Sequence, residues 1–158
     1  MKAVLSIGTN LGDRLRNIDD AVNSLERVPK LRVLEVSPIY ETEPWGYAEQ
    51  DNFFNCAVTV ETELSPSALL GACLGIEAAL GRVRKIKFGP RIIDIDILLY
   101  EGFASDTEEL TVPHKFIFER DFVLVPLHDL FPSGTALGFD FSEAYKKTDL
   151  TKLKMIKS

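Results

Sequence analysis

The sequence predicts an α+β fold, an antiparallel or mixed sheet covered by helices, on three observations. Apolar residues recur at three- and four-residue steps in two stretches, 14–28 and 65–81, as they do along helices with one buried face. They alternate with a period of two in several shorter stretches, as they do along half-buried strands. The two kinds of segment are mixed without the strict alternation of a parallel βαβ sheet. With 158 residues and no repeat or Pro/Gly/Ser-rich linker, residues 1–158 read as a single domain.

Taken in order, "AVLSI" opens as a strand that stops at Gly8. Leu11, Leu15, Ile18, Val22, Leu25 and Val28 then mark a helix from about Arg14 to Val28, with Asp13 as its N-cap and Pro29 ending it. "LRVLEVSPIYET" is strand-like, but Pro38 has no N–H for a ladder, which predicts an edge or bulged strand. "PWGYAEQDN" is a loop by composition. In "FFNCAVTVET", Phe54, Cys56, Val58 and Val60 share the core face, and Phe53, Asn55, Ala57 and Thr59 share the other. "SPSALLGACLGIEAALG" has Ser65 at the N-cap, Pro66 in the first turn and Gly81 just past the end. Its core face of Leu69, Leu70, Cys73, Ile76 and Leu80 puts Glu77 at the rim. Ile92 to Tyr100 form a strand, "LTVPH" is short and extended, and residues 119–131 are helical with a break near Pro126. The last 25 residues or so carry no decisive pattern.

Composition narrows the function. Hydrophobic residues make up 46% and charged residues 27%, the mixture of a globular protein. A net charge of −6 argues against a general nucleic-acid binder. No stretch approaches the roughly 20 apolar residues of a membrane span, and the start is too short in apolar residues for a signal-peptide core. The expectation is a cytoplasmic protein that binds neither membrane nor nucleic acid. Cys56 and Cys73 lack metal-type spacing and read as buried free thiols, and two histidines leave no room for a multi-histidine zinc site.

The stretch that demands chemistry is "GPRIIDIDIL". Residues two apart on a strand lie about 6.6 Å apart on one face, so Asp94 and Asp96 are neighbours while Ile93, Ile95, Ile97 and Leu99 fill the other side. Two carboxylates at that spacing repel by roughly 2 kcal/mol at an effective dielectric of 20, a cost a divalent cation would reverse. By itself the pair fits either a metal site or a solvated face. The preceding "RVRKIKFGPR" tips the balance, because Arg82, Arg84, Lys85, Lys87 and Arg91 place five cations and no acid in ten residues of an acidic chain. A cation cluster beside a carboxylate pair suits a Mg²⁺-nucleotide: hard oxygens hold the metal, and Arg and Lys neutralise the remaining phosphate oxygens. "GTNLGD" lacks the Lys-Ser/Thr of a P-loop and reads more readily as a tight βα turn than as a phosphate cradle. Phe53 and Asn55 offer a ring and an amide to a planar heterocycle, although, taken alone, an outward Phe packed under a helix is the better account of Phe53. Trp45 has the same ambiguity, and His114 could meet a phosphate or cap a turn.

These segments together resemble a family. "KFGPRIIDIDIL" is similar to the signature of 6-hydroxymethyl-7,8-dihydropterin pyrophosphokinases, which move a diphosphate from ATP to a pterin alcohol in folate biosynthesis. "SIGTNLGD", "YETEPWG", "FFNCAV", "IEAALGRVR", "LTVPH" and "RDFVLVPL" extend the likeness in the family's order across most of residues 4–127. The resemblance implies a central, largely antiparallel sheet with helices on both faces, a ferredoxin-like arrangement, in a monomer that closes over ATP and two Mg²⁺ ions. It implies Asp94 and Asp96 as metal ligands, and Arg82 and Arg91 beside them as catalytic residues. Arg82, Arg84, Arg91, His114 and Arg120 would meet the nucleotide phosphates or the closing loop, with Glu77, Ile97 and Thr111 near the nucleoside. The pterin would lie between Phe53 and Phe122, read by Asn55 and the backbone around Thr42 and covered by Trp45. Leu74 stands where Gln is common, Phe88 where Trp is, Lys87 where Arg is, and Lys115 where the family varies. Two other classes compete: a nucleotidyltransferase, which the eighty-odd residues between Gly8 and Asp94 fit badly, and a non-catalytic ligand-binding module.

Overall fold

The computed structural model describes residues 1–43, 51–81 and 92–157. In chain order these form β1 (Lys2–Thr9), α1 (Arg14–Glu26), β2 (Leu31–Val36), β3 (Ile39–Thr42), β4 (Phe53–Thr62), α2 (Pro66–Ala79), β5 (Asp94–Tyr100), β6 (Ser105–Asp106) and β7 (Thr111–Val112). There follow α3 (Asp121–Leu130), β8 (Thr135–Ala136), β9 (Phe139–Asp140), α4 (Ser142–Lys146), a 3₁₀ turn at Leu150–Lys152, and β10 (Leu153–Lys157).

The main sheet runs β10-β3-β4-β1-β5, with β2 also on β4, and every pairing is antiparallel. β2 and β3 are the predicted Pro38 strand broken in two. At the break the buried Ser37 stands in for the lost ladder: its amide donates to Ala57 O at 2.9 Å, and its Oγ accepts from Ala57 N at 2.8 Å. Asp13 caps α1 and Ser65 caps α2, each accepting a main-chain N–H of the first turn as its sequence position requires. Helix α3 carries straight through Pro126, so the expected break is absent. Strand β1 also runs past Gly8 to Thr9.

Two cores sandwich the sheet. Ala3, Leu5 and Ile7 of β1 face Ile18, Ala21 and Leu25 of α1 and Leu69, Cys73 and Ile76 of α2. On the other side Val4 and Leu98 meet Val123, Leu124 and Leu127 of α3 with Phe141. One expectation for β5 needs correcting: Ile93, Ile95 and Ile97 pack in the first core, but Leu99 belongs to the second together with Leu98. The pairing register slips by one between Val4 and Leu5, and the extra residue of this bulge turns both leucines to the same side. The segment after β9, silent as sequence, supplies α4 and the edge strand β10, which pairs with β3.

Candidate active site

The site grows from the α3 side of four neighbouring strands. Register places Asp94, Gly8, Asn55 and Tyr40 in one row across β5, β1, β4 and β3, and Asp96, Ser6 and Ala57 in the next. Along β1 this face reads Val4, Ser6, Gly8, and the side chains shrink toward the end of the strand. Val4 lies under the second core, whereas Ser6 and Gly8 floor a cavity. Thr42, Glu43, Phe53, Asn55, Asp94, Asp96, Arg120 and Phe122 line the rest of it.

Gly8 is required there by space. A Cβ at that position would sit 2.8 Å from Asn55 Oδ1. Asn55 is only 3% exposed, and its Nδ2 donates to Thr42 Oγ1 at 2.9 Å, so the amide is turned one way and held. Above it, the Arg120 guanidinium lies 4.7 Å from the Phe116 ring centroid and 5.4 Å from that of Phe122, a cation held over two aromatic faces.

A second, more open cleft adjoins the first. It is lined by Leu70, Leu74 and Glu77 of α2, by Ile95, Asp96 and Ile97 of β5, and by Glu108, Glu109, Leu110, Thr111, His114 and Lys115. Asp96 lines both spaces and stands at their boundary. His114 Nδ1 accepts from Phe116 N at 3.2 Å, which puts its proton on Nε2, 3.8 Å from Asp96 Oδ2. Burial, then the Arg120 charge, push the His114 pKa down to about 4 against the opposing pull of Asp94.

Most predicted residues therefore assemble. Thr42, Phe53, Asn55 and Phe122, expected around a heterocycle, share the first cavity, and Glu77, Ile97, Thr111 and His114, expected around a nucleotide, share the second. Arg120, expected with the nucleotide, lines the first cavity instead. Glu77, expected at the rim, is 3% exposed, and its Oε2 accepts the Ile95 amide at 2.7 Å, bracing β5 between the two aspartates. Trp45, Arg82, Arg84 and Arg91, with the rest of the basic segment, lie outside the described residues. Sequence reasoning missed Ser6, Gly8 and Glu43 in the first cavity. The signal for the first two was the falling side-chain size along one face of β1.

Asp94 and Asp96 suit a magnesium ion. Both carboxylates rise from one face of β5, and oxygen is the donor that ion prefers. Among the described residues no group of three His, Cys, Asp or Glu side chains is placed to hold a metal ion by itself.

The chain is also similar to known proteins. A family model described as 7,8-dihydro-6-hydroxymethylpterin-pyrophosphokinase matches residues 4–132. The chain is 46% identical to the 2-amino-4-hydroxy-6-hydroxymethyldihydropteridine pyrophosphokinase of Methylorubrum extorquens, covering 98% of both chains. It is 44% identical to the Bacillus subtilis protein of the same name, covering 81% of this chain and 77% of that one. It is 48% identical to the folic acid synthesis protein fol1 of Schizosaccharomyces pombe, over 82% of this chain but only 18% of the longer protein. Among solved structures, wild-type Plasmodium falciparum HPPK-DHPS with pteroate superposes with a TM-score of 0.68 at 17% identity, over 92% of this chain and 44% of that one. At that identity the likeness speaks for the fold.

Proposed function

The chain belongs to the 7,8-dihydro-6-hydroxymethylpterin-pyrophosphokinase family and transfers diphosphate from ATP to the hydroxymethyl group of dihydropterin in folate synthesis; from that premise we propose how its two cavities divide the work. The first holds the pterin and the second the nucleoside of ATP. Asp94 and Asp96 would hold two Mg²⁺ ions. The observation that carries this reading is the position of Asp96, which lines both cavities.

In the reaction the pterin hydroxymethyl oxygen bonds to the β-phosphorus of ATP. The bond from that phosphorus to the oxygen bridging to the α-phosphorus breaks, AMP departs with the bridging oxygen, and the hydroxyl proton passes to solvent. Magnesium, when bound, offsets the charge that gathers on the phosphate oxygens. The protein's part is positioning. Phe53 and Phe122 flank the ring, Asn55 and the backbone at Thr42 read its edge, and Gly8 leaves the ring and the amide room to meet. Arg120, held over its two phenylalanines, neutralises phosphate from the pterin side. Leu70, Leu74, Ile97 and Thr111 form the nucleoside wall, and His114 stands between that wall and Asp96. Arg82, Arg84 and Arg91 would add charge to the phosphates and Trp45 would cover the pterin, roles that rest on their places in the family motifs. Orientation of two reactants in this way accounts for a large share of a barrier without any covalent step by the enzyme.

The test is product identity. With ATP, Mg²⁺ and 6-hydroxymethyl-7,8-dihydropterin the protein should release AMP and pterin diphosphate in equal amounts, and no turnover should occur in EDTA. Release of ADP or of free diphosphate would overturn the assignment.

A further inference from the structure

Two walls of the first cavity come from elements that share no main-chain ladder. Strand β3 brings Thr42, and helix α3, packed across β3 and β4, brings Phe122. β3 is short: it has four residues and begins just after the Ser37-Pro38 break.

We propose that the hydrogen bond from Tyr40 Oη to Asp129 Oδ2 is a clamp that fixes the spacing of these two walls, making Tyr40 a positioning residue for the pterin. The proposal rests on assigning the first cavity to the pterin. Tyr40 and Thr42 point to the same side of β3, two residues apart. Phe122 and Asp129 are seven residues apart in α3, two helical turns, and so share a face of that helix. The 2.5 Å bond therefore joins strand to helix along the line on which Thr42 and Phe122 confront each other. Tyr40 is 7% exposed and lies outside the cavity lining, so it acts through its neighbours. Burial first, and then the Asp129 carboxylate, push the phenol pKa up and keep it a donor.

The helix end of the clamp is itself anchored. His128, next to Asp129, stacks on Tyr145 of α4 with centroids 3.7 Å apart and planes within 2°. On the strand side, β10 pairs with β3, and Met155 lies opposite Tyr40. Residues beyond 132, where the family match ends, thus brace both walls of a substrate site from outside it.

The experiment is steady-state kinetics on the full chain. Tyr40→Phe keeps the ring and removes the hydroxyl. Its KM for the pterin should rise about three- to tenfold, while kcat and KM for ATP stay within about twofold. Asp129→Ala should give the same change, the double variant no more than either single, and Asp129→Asn, whose amide oxygen still accepts, should restore most of the affinity. A lower melting temperature in Tyr40→Phe with the pterin KM unmoved would overturn the clamp, as would single effects that add in the double variant. A wild-type protein that releases no AMP would overturn the reaction itself, an outcome read before any variant is made.

Discussion

At the scale of single residues, Gly8 shows most sharply how structure changes what a letter means. As sequence it looks like a turn glycine in "SIGTNLGD". In the fold it is a strand residue whose missing side chain is occupied by the Asn55 amide. Gly8→Ala should force that amide to turn and break the bond to Thr42, raising the pterin KM about tenfold with a smaller loss of stability. Equal pterin affinity in the two proteins would show that the Asn55 orientation is unimportant. The cysteines make a plainer case. Burial pushes the thiols of Cys56 and Cys73 up to about 12, so the folded protein at pH 8 should leave a disulfide reagent untouched over minutes and release two thiols per chain in guanidinium. Fast reaction of either thiol in the native state would contradict the packing described here.

Elements explain where sequence reading succeeds and where it stops. Capping and periodicity are local, and so both long helices begin where Asp13 and Ser65 place them. The Pro38 break was equally visible, but its repair was not, because the partner of Ser37 is Ala57, twenty residues away. Ser37→Ala would leave a buried N–H of β4 without its acceptor and should cost about 1–3 kcal/mol in urea unfolding, with the dependence on urea concentration unchanged. No loss would mean the break needs no repair. The bulge in β5 was invisible for the same reason: strict alternation assigns Leu99 to the first core, and only pairing with β1 reveals the slip. Strand β5 also carries the electrostatic cost of the site. Asp94→Asn or Asp96→Asn should lower turnover by at least about a hundredfold while leaving the melting temperature of the ligand-free protein equal or slightly higher. Unfolding of those variants would assign the pair to structure.

For the molecule as a whole, the arrangement follows from using the sheet's two faces differently. One face is covered by α1 and α2, with the second cavity opening between α2 and β5. The other is covered by α3 and α4 over Val4 and Leu98 but opens where β1 offers Ser6 and Gly8, and there the two cavities meet at Asp96. That Asp94 shares a face with Asp96, and Phe53 with Asn55, was legible because spacing within one strand already dictates it. The support from residues beyond 132 was not, since β10 and α4 act only through contacts distant in sequence. Among the described residues no helix is long and apolar enough to cross a membrane. The most direct check is titration with Mn²⁺, followed by its paramagnetic resonance, in the presence of an ATP analogue whose α–β bridge is methylene. The wild-type protein should bind manganese tightly only with the analogue present, and Asp94→Asn and Asp96→Asn should each lose that binding. Undiminished manganese affinity in both variants would contradict the account at its centre.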